Sequence, residues 1–435
     1  MSDDLRTGPA RAGLTAEVLA GAQRRTVRVL VLTQAVGAVG ITIGIATASL
    51  LARDLSGSEA QSGLAQTAQV LGAAVISFLL APLMARSGRR AGLVTGYVIG
   101  ASGGLLAVLA GVVGSMALLL VGALMLGAAT SANNAARYAA TDLATDANRA
   151  RSLSVVVWAT TIGAVAGPNL TGPAGTFADA TGIPALTGPF ALGAIGLLLA
   201  AVVVGVLLRP DPLLLAQQAA VGTRAVAAGT TRGGSSWRRA VAGVRERPVL
   251  GYAIGGLALS HATMLGVMVM TPLHMEHGGS GLDVIGVVIS VHVLGMFAFS
   301  PLVGVLADRV GRAPVLGAGG ATQLVALLLC ASAPTGMSWQ VTSGLFLLGL
   351  GWSLAMVSAS TLVAEHAPLD VRTDVQGVSD LAMGVAAAVA GALAGVVVSV
   401  ADYPALALVT LLLVAGVLVC AVRAAAETPP TRRTS

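Results

Sequence analysis

Two pairs of side chains, each four residues apart, carry the most distinctive chemistry in this chain: Met264 with Met268, and His292 with Met296. Around them, four of the five histidines and five of the 12 methionines fall within the 36 residues from His261 to Met296. A thioether is a weak, soft ligand that selects Cu(I); imidazole supports copper and zinc, and hard ions prefer oxygen. Two or three thioethers with one imidazole would hold Cu(I) without carboxylates and let it go again. His261 would join that set or relay a proton. Met270, His274, Met275 and His277 continue the same stretch and would capture metal on its way in. The competing reading is packing: methionine is a flexible filler of apolar interiors, and a histidine at membrane depth also serves as a hydrogen-bonded packing residue or proton relay.

Those pairs matter only if their elements place them together, and composition says what the elements are. Hydrophobic residues make up 55% of the 435, charged residues 10%, and the mean hydropathy is +0.86. Soluble domains carry about 25% charged residues, so this chain lacks the surface of a water-soluble fold. Each crossing of the hydrocarbon takes roughly 20 residues. Apolar runs near 27–52, 60–84, 91–112, 115–140, 152–176, 185–208, 248–271, 282–306, 313–333, 338–364, 376–399 and 403–424 give twelve candidate spans. In a helix, i, i+3, i+4 and i+7 share a face. Span 7 thus carries Met264 and Met268 on one face, and span 8, running back, carries His292 and Met296 at matching depth. We expect these two helices to be adjacent.

All 25 basic residues are arginine, and their placement orients the chain. Cytoplasmic loops keep an excess of positive charge. Arg6, Arg11, Arg24, Arg25 and Arg28 precede span 1, while Arg86, Arg89 and Arg90 follow span 2. Arg149 and Arg151 follow span 4, and Arg209, Arg224, Arg232, Arg238, Arg239, Arg245 and Arg247 lie between spans 6 and 7. Arg309 and Arg312 follow span 8, Arg372 follows span 10, and Arg423, Arg432 and Arg433 end the chain. The other side has Arg53 alone among Asp54, Glu59, Asp179, Glu276, Asp283 and Asp402. Both termini are expected in the cytoplasm. Orientation accounts for the net charge of +6, so no nucleic-acid partner is invoked.

The polar stretch 209–247 divides the chain into a tail at 1–26, six spans at 27–208, a linker, six spans at 248–424, and a tail at 425–435. The halves echo each other: APLMARSGRRAGL follows span 2 and GVLADRVGRAPVL follows span 8. Here the chain resembles the major facilitator superfamily. Gly304, Asp308, Arg309, Gly311 and Arg312, with Leu306 and Ala307 between, match its G-x-L-A-D-R-x-G-R loop signature. The first copy keeps Arg86, Gly88, Arg89 and Arg90 but has Ala81 and Ala85 where the signature has Gly and Asp. The resemblance implies an all-α membrane fold of 12 helices in two six-helix bundles, working by alternating access. It also implies that this loop is a conformational latch, with Asp142 or Asp146 standing in for the missing first-half carboxylate.

Within the superfamily, the chain is similar to a branch of bacterial copper importers, the CcoA-like proteins, which carry MxxxM on span 7 and HxxxM on span 8. That resemblance implies copper as the transported substrate, bound by Met264, Met268, His292 and Met296 and imported through the inner membrane for cuproproteins such as cytochrome c oxidase. The wider family also holds riboflavin importers and proton-coupled drug exporters, and both stay open as alternatives.

In the first half, Gln34, Gln66, Gln69, Asn133, Asn134, Arg137 and Asn169 are polar at membrane depth. Such groups face other helices or a water-filled cavity, so Gln34, Asn133, Asn134, Arg137 and Asn169 are candidates for its lining. Arg137 would reach the cytoplasmic surface or pair with Asp142 or Asp380. The run GPNLTGP, from Gly167 to Pro173, predicts a bend at Pro168. Cys330 and Cys420 lie in separate spans without the spacing of a zinc site. No nucleotide loop ending in Lys, no Ser/His/Asp arrangement and no paired buried carboxylates are present. We therefore read a transporter rather than an enzyme, with no cofactor and no obligate protein partner.

Overall fold

A computed structural model describes residues 15–58, 61–223 and 235–428. Arg6, Arg11, Glu59, Arg224, Arg232, Arg432 and Arg433, with the tail segments and the middle of the linker that carry them, lie outside the described residues.

Eleven helices among the described residues are long and apolar enough to cross a membrane. One of them, α2 (Leu64–Val113), has 50 residues, or about 75 Å at 1.5 Å per residue, more than twice the hydrocarbon thickness. It breaks at Gly88, where φ is 84°, and so supplies two crossings. The first half further contains α1 (Ala16–Ser56), α3 (Met116–Ala139), α4 (Arg149–Trp158), α5 (Thr160–Asn169), α6 (Thr171–Thr181) and α7 (Gly188–Leu207). After α8 (Pro212–Thr223) and α9 (Ser236–Glu246) come α10 (Pro248–His277), α11 (Leu282–Phe297), α12 (Ser300–Val310), α13 (Arg312–Ala331), α14 (Trp339–His366), α15 (Arg372–Val400) and α16 (Tyr403–Glu427).

The loop repeated in sequence is also repeated in backbone. Gly88 and Gly311 both adopt positive φ, 84° and 109°, with ψ of 173° and 153°. That extended, left-handed region is open to glycine and costly for any side chain. Each glycine separates two antiparallel crossings. The fifth crossing is three short helices, α4 to α6, and its second break falls at Leu170, two residues beyond the expected bend.

Two apolar clusters form the interior. One joins Val29 to Leu208; the other spans α10 to α16 and also takes in Tyr138, Ala150, Leu153 and Val157 of the first half. Outside, Leu302, Leu412, Val422 and Val400 are 68%, 75%, 70% and 81% exposed. Apolar surface on this scale needs lipid around it.

The halves meet along two crossings. Gly377 and Gly384 of α15 lie against Ala81 and Ala74 of α2, and Gly304 of α12 lies against Ser154 and the Ala150 carbonyl of α4. A Cβ at Gly304 would collide with both.

Candidate functional site

Between the halves is a cavity of about 410 Å³. It extends from Gln66, exposed in the first turn of α2 at the arginine-poor end, down to Arg137 and Asp380 near the arginine-rich ends of α3 and α15.

One wall carries amides and hydroxyls. Gln34 donates from Nε2 to Thr160 Oγ1 at 2.9 Å, which leaves its buried Oε1 without a partner, as is Thr130 Oγ1. Tyr97 donates its hydroxyl proton to Asn133 Oδ1 at 2.6 Å, fixing the amide so that its NH₂ remains to donate. The facing wall is aromatic. Trp352 Nε1 donates to His261 Nδ1 at 2.7 Å, and Phe297 stands edge-on to Trp352 at 5.6 Å. Since His261 Nδ1 accepts, any ring proton sits on Nε2.

The floor is charged but self-neutralised. Arg137 Nη2 and Asp380 Oδ1 lie 2.5 Å apart with side chains 4% and 5% exposed, and Arg137 Nε donates to Ser360 Oγ at 3.2 Å. Desolvation offsets most of the attraction in such a buried pair, so it adds little net stability while both members are present.

Below the floor the arginine-rich side is locked. Asp308 accepts from the backbone N–H groups of Ala150 and Arg151 at 3.0 and 2.9 Å, placing a carboxylate on the first turn of α4, where the helix dipole favours it. Arg312 pairs with Glu365 at 2.7 Å and with Asp308 at 3.2 Å, and donates to the Asp146 carbonyl. In the first copy, Arg89 holds Asp142 with two hydrogen bonds, 2.8 and 3.1 Å, and donates to Gln376 of α15 at 2.7 Å. Asp142 rather than Asp146 thus answers Arg89. Asp211 accepts from the Arg90 N–H at 2.8 Å and fills the space a Cβ on Gly88 would need. Arg86 and Arg309 are exposed.

The methionines and histidines are dispersed. His261 and Met296 line the cavity. Met264 is 3% exposed within the second cluster, and Met268 and Met270 pack against it half-buried. His292 is fully buried, with Nδ1 2.7 Å from the Leu345 carbonyl of α14 and Nε2 lacking a partner. The expected adjacency of spans 7 and 8 is corrected here: α11 rests mainly on α14, and α10 packs on α14, α15 and α16 and only grazes α11. Gly349 of α14 leaves room for the α11 backbone at His292 and Met296 to come close. Helix α10 also runs through His277 rather than ending before His274. His274 lies 3.2 Å from the Pro334 carbonyl and stacks on Tyr403 at 4.3 Å; Met275 is fully buried, and His277 alone is exposed. Cys330, remote in sequence, is fully buried in the same apolar cluster as Tyr403. Asn169 is a second correction. It is exposed and donates to the Val165 carbonyl of its own helix at 2.6 Å, away from the cavity.

The model of the Major Facilitator Superfamily matches residues 30–284 and 258–435. The chain belongs to the major facilitator superfamily. It is 36% identical to YddS, an MFS-type transporter of Bacillus subtilis (strain 168), over 390 residues, covering 88% of this chain and 87% of that one. It is 28% identical to the riboflavin transporter RfnT of Brucella anthropi over 372 residues, covering 84% and 86%. The E. coli fucose:proton symporter FucP superposes with a TM-score of 0.65 at 16% identity, over 92% of this chain and 98% of that one, a likeness of fold. Members of the major facilitator superfamily are membrane-embedded transporters, not enzymes.

Several residues of this site carry no sequence motif. Trp352 had one available signal, a tryptophan within a span of a chain only 3% aromatic. Asp211, Glu365 and Gln376 had none, because their partners are more than 50 residues away in sequence.

Proposed function

We propose that this chain imports an uncharged, planar organic solute of the flavin class by alternating access, loading it into the cavity from outside. The carrying observation is the pairing of walls: amides with an unsatisfied acceptor at Gln34 face the Phe297–Trp352 ring pair, and among the described residues the only charges in the lining, Arg137 and Asp380, neutralise each other. A planar heterocycle with polar edges stacks on such rings and pairs with such amides. A cavity of about 410 Å³ suits a small molecule rather than a bare ion. Similarity to a riboflavin transporter supports this reading, and the arginine distribution supports a cytoplasmic arginine-rich side and an inner-membrane location.

The second reading, Cu(I) import through Met264, Met268, His292 and Met296, is favoured by one observation, the orphaned His292 Nε2 one turn from cavity-lining Met296. Against it, α14 stands between the two pairs.

One experiment separates them. A flavin-requiring host deficient in both riboflavin and copper uptake, expressing the wild type or Trp352→Ala at matched abundance, is assayed for labelled riboflavin and for cell copper. Flavin accumulation with the wild type and its loss in Trp352→Ala upholds the proposal. A rise in copper alone, abolished by His292→Leu with Met296→Leu, replaces it with the copper reading.

A further inference from the structure

The short helix α9 (SWRRAVAGVRE) has no part in the cavity or the latch described above. Its rotation is fixed from one side. Arg239 Nε donates to Asp374 Oδ2 of α15 at 2.7 Å, and Gly243 rests on Val371 and Val375. At 100° per residue, this leaves Trp237, Val241 and the two arginines Arg238 and Arg245 on the outward side. Trp237 is 50% exposed. Arg238 and Arg245 are exposed as well, and among the described residues neither has an acidic partner. Glu246 shares the open hollow between them, about a quarter-turn away around the helix.

The level of α9 relative to the bilayer follows from its neighbour. The Trp237 ring stands edge-on to Phe78 of α2 at 6.2 Å. Val75 and Leu79, on either side of Phe78, are 49% and 62% exposed on the lipid-facing surface. Trp237 therefore lies where lipid tails give way to headgroups, the depth tryptophan favours. That depth would put the arginines beside it at phosphate level on the arginine-rich side. An interfacial helix with apolar anchors and arginines on its flank binds anionic lipid surfaces.

We propose that α9 is a docking site for anionic phospholipid headgroups, with Trp237 and Val241 at the acyl boundary and Arg238 and Arg245 on the phosphates. Held beside the Trp237–Val241 anchor, each of these two arginines adds about fivefold to association, so the pair adds roughly 25-fold. This holds whichever solute is carried.

The test uses the full chain in vesicles of equal phosphatidylglycerol and phosphatidylcholine, extracted in detergent, with co-purifying lipid counted by mass spectrometry. Wild type retains phosphatidylglycerol in large excess. Arg238→Gln with Arg245→Gln loses tenfold or more, Arg245→Gln alone loses about fivefold, and Arg238→Lys with Arg245→Lys stays near wild type because charge is conserved. The control, Arg24→Gln with Arg25→Gln on exposed positions of α1, stays near wild type. Equal retention by wild type and both Gln variants overturns the proposal. So does an equal loss in the control pair, which would mark diffuse attraction to basic charge, or a loss in the Lys pair as deep as in the Gln pair.

Discussion

Arg137 of α3 and Asp380 of α15 meet across the two halves at 2.5 Å, at the point where the cavity ends and the arginine-rich seal begins. Separating the halves on that side must break this pair. Removing one member of a buried pair costs about 3–5 kcal/mol because the other charge is left uncompensated. Asp380→Asn should therefore depopulate the sealed state. With Cys330 and Cys420 replaced by Ala, a cysteine at Ala135, which is 8% exposed just beyond the floor, should be labelled by a maleimide applied from the arginine-rich side about tenfold faster in Asp380→Asn. Unchanged labelling would remove the pair from gating.

The Asp308 carboxylate caps the first turn of α4 from the opposite half. An anion there is worth roughly 0.3–2 kcal/mol. Asp308→Asn should raise the same labelling by a few-fold, less than Asp380→Asn. Gly304→Ala should raise it more than Asp308→Asn, because its Cβ meets the backbone of Ala150 as well as Ser154. The ranking is the test, and a reversed order would place the contact elsewhere.

Gly88 and Gly311 share one backbone conformation but not one environment. A Cβ on Gly311 meets only Pro314, at 3.5 Å, whereas one on Gly88 collides with the Asp211 carboxylate. Both Gly→Ala changes should destabilise the purified protein by about 1–3 kcal/mol of backbone strain each and so lower its melting midpoint. Gly88→Ala should lower it further, and Asp211→Ala should recover the excess in the double variant. Equal shifts would show that Asp211 yields freely.

Trp352→Phe keeps an aromatic ring, though a smaller one, facing the amide wall and removes the N–H that His261 Nδ1 accepts. A buried acceptor left unpaired costs about 1–3 kcal/mol. In an uptake assay the half-saturating concentration should rise about tenfold with membrane abundance retained, and Trp352→Ala should be worse. If Phe behaves as wild type, the hydrogen bond does not shape the wall.

By itself, the sequence determined that this is a twelve-span membrane protein, that its arginines gather on one side, and that a glycine turn recurs in each half. These follow from terms that need no partner: transfer of apolar segments, the charge preference of loops, and the positive φ at Gly88 and Gly311. It did not determine which face of a span looks inward. In water a helix displays its buried stripe because the opposite face must be polar, but in lipid both faces are apolar and the stripe is erased. Spacing therefore paired Met264 and Met268 with His292 and Met296 by depth, while packing put α14 between their helices. The partner of Arg137 was equally open between Asp142 and Asp380. Only the tertiary structure, which commits Asp142 to Arg89, left Asp380 for Arg137, because a buried guanidinium takes whichever carboxylate the assembled helices bring within reach.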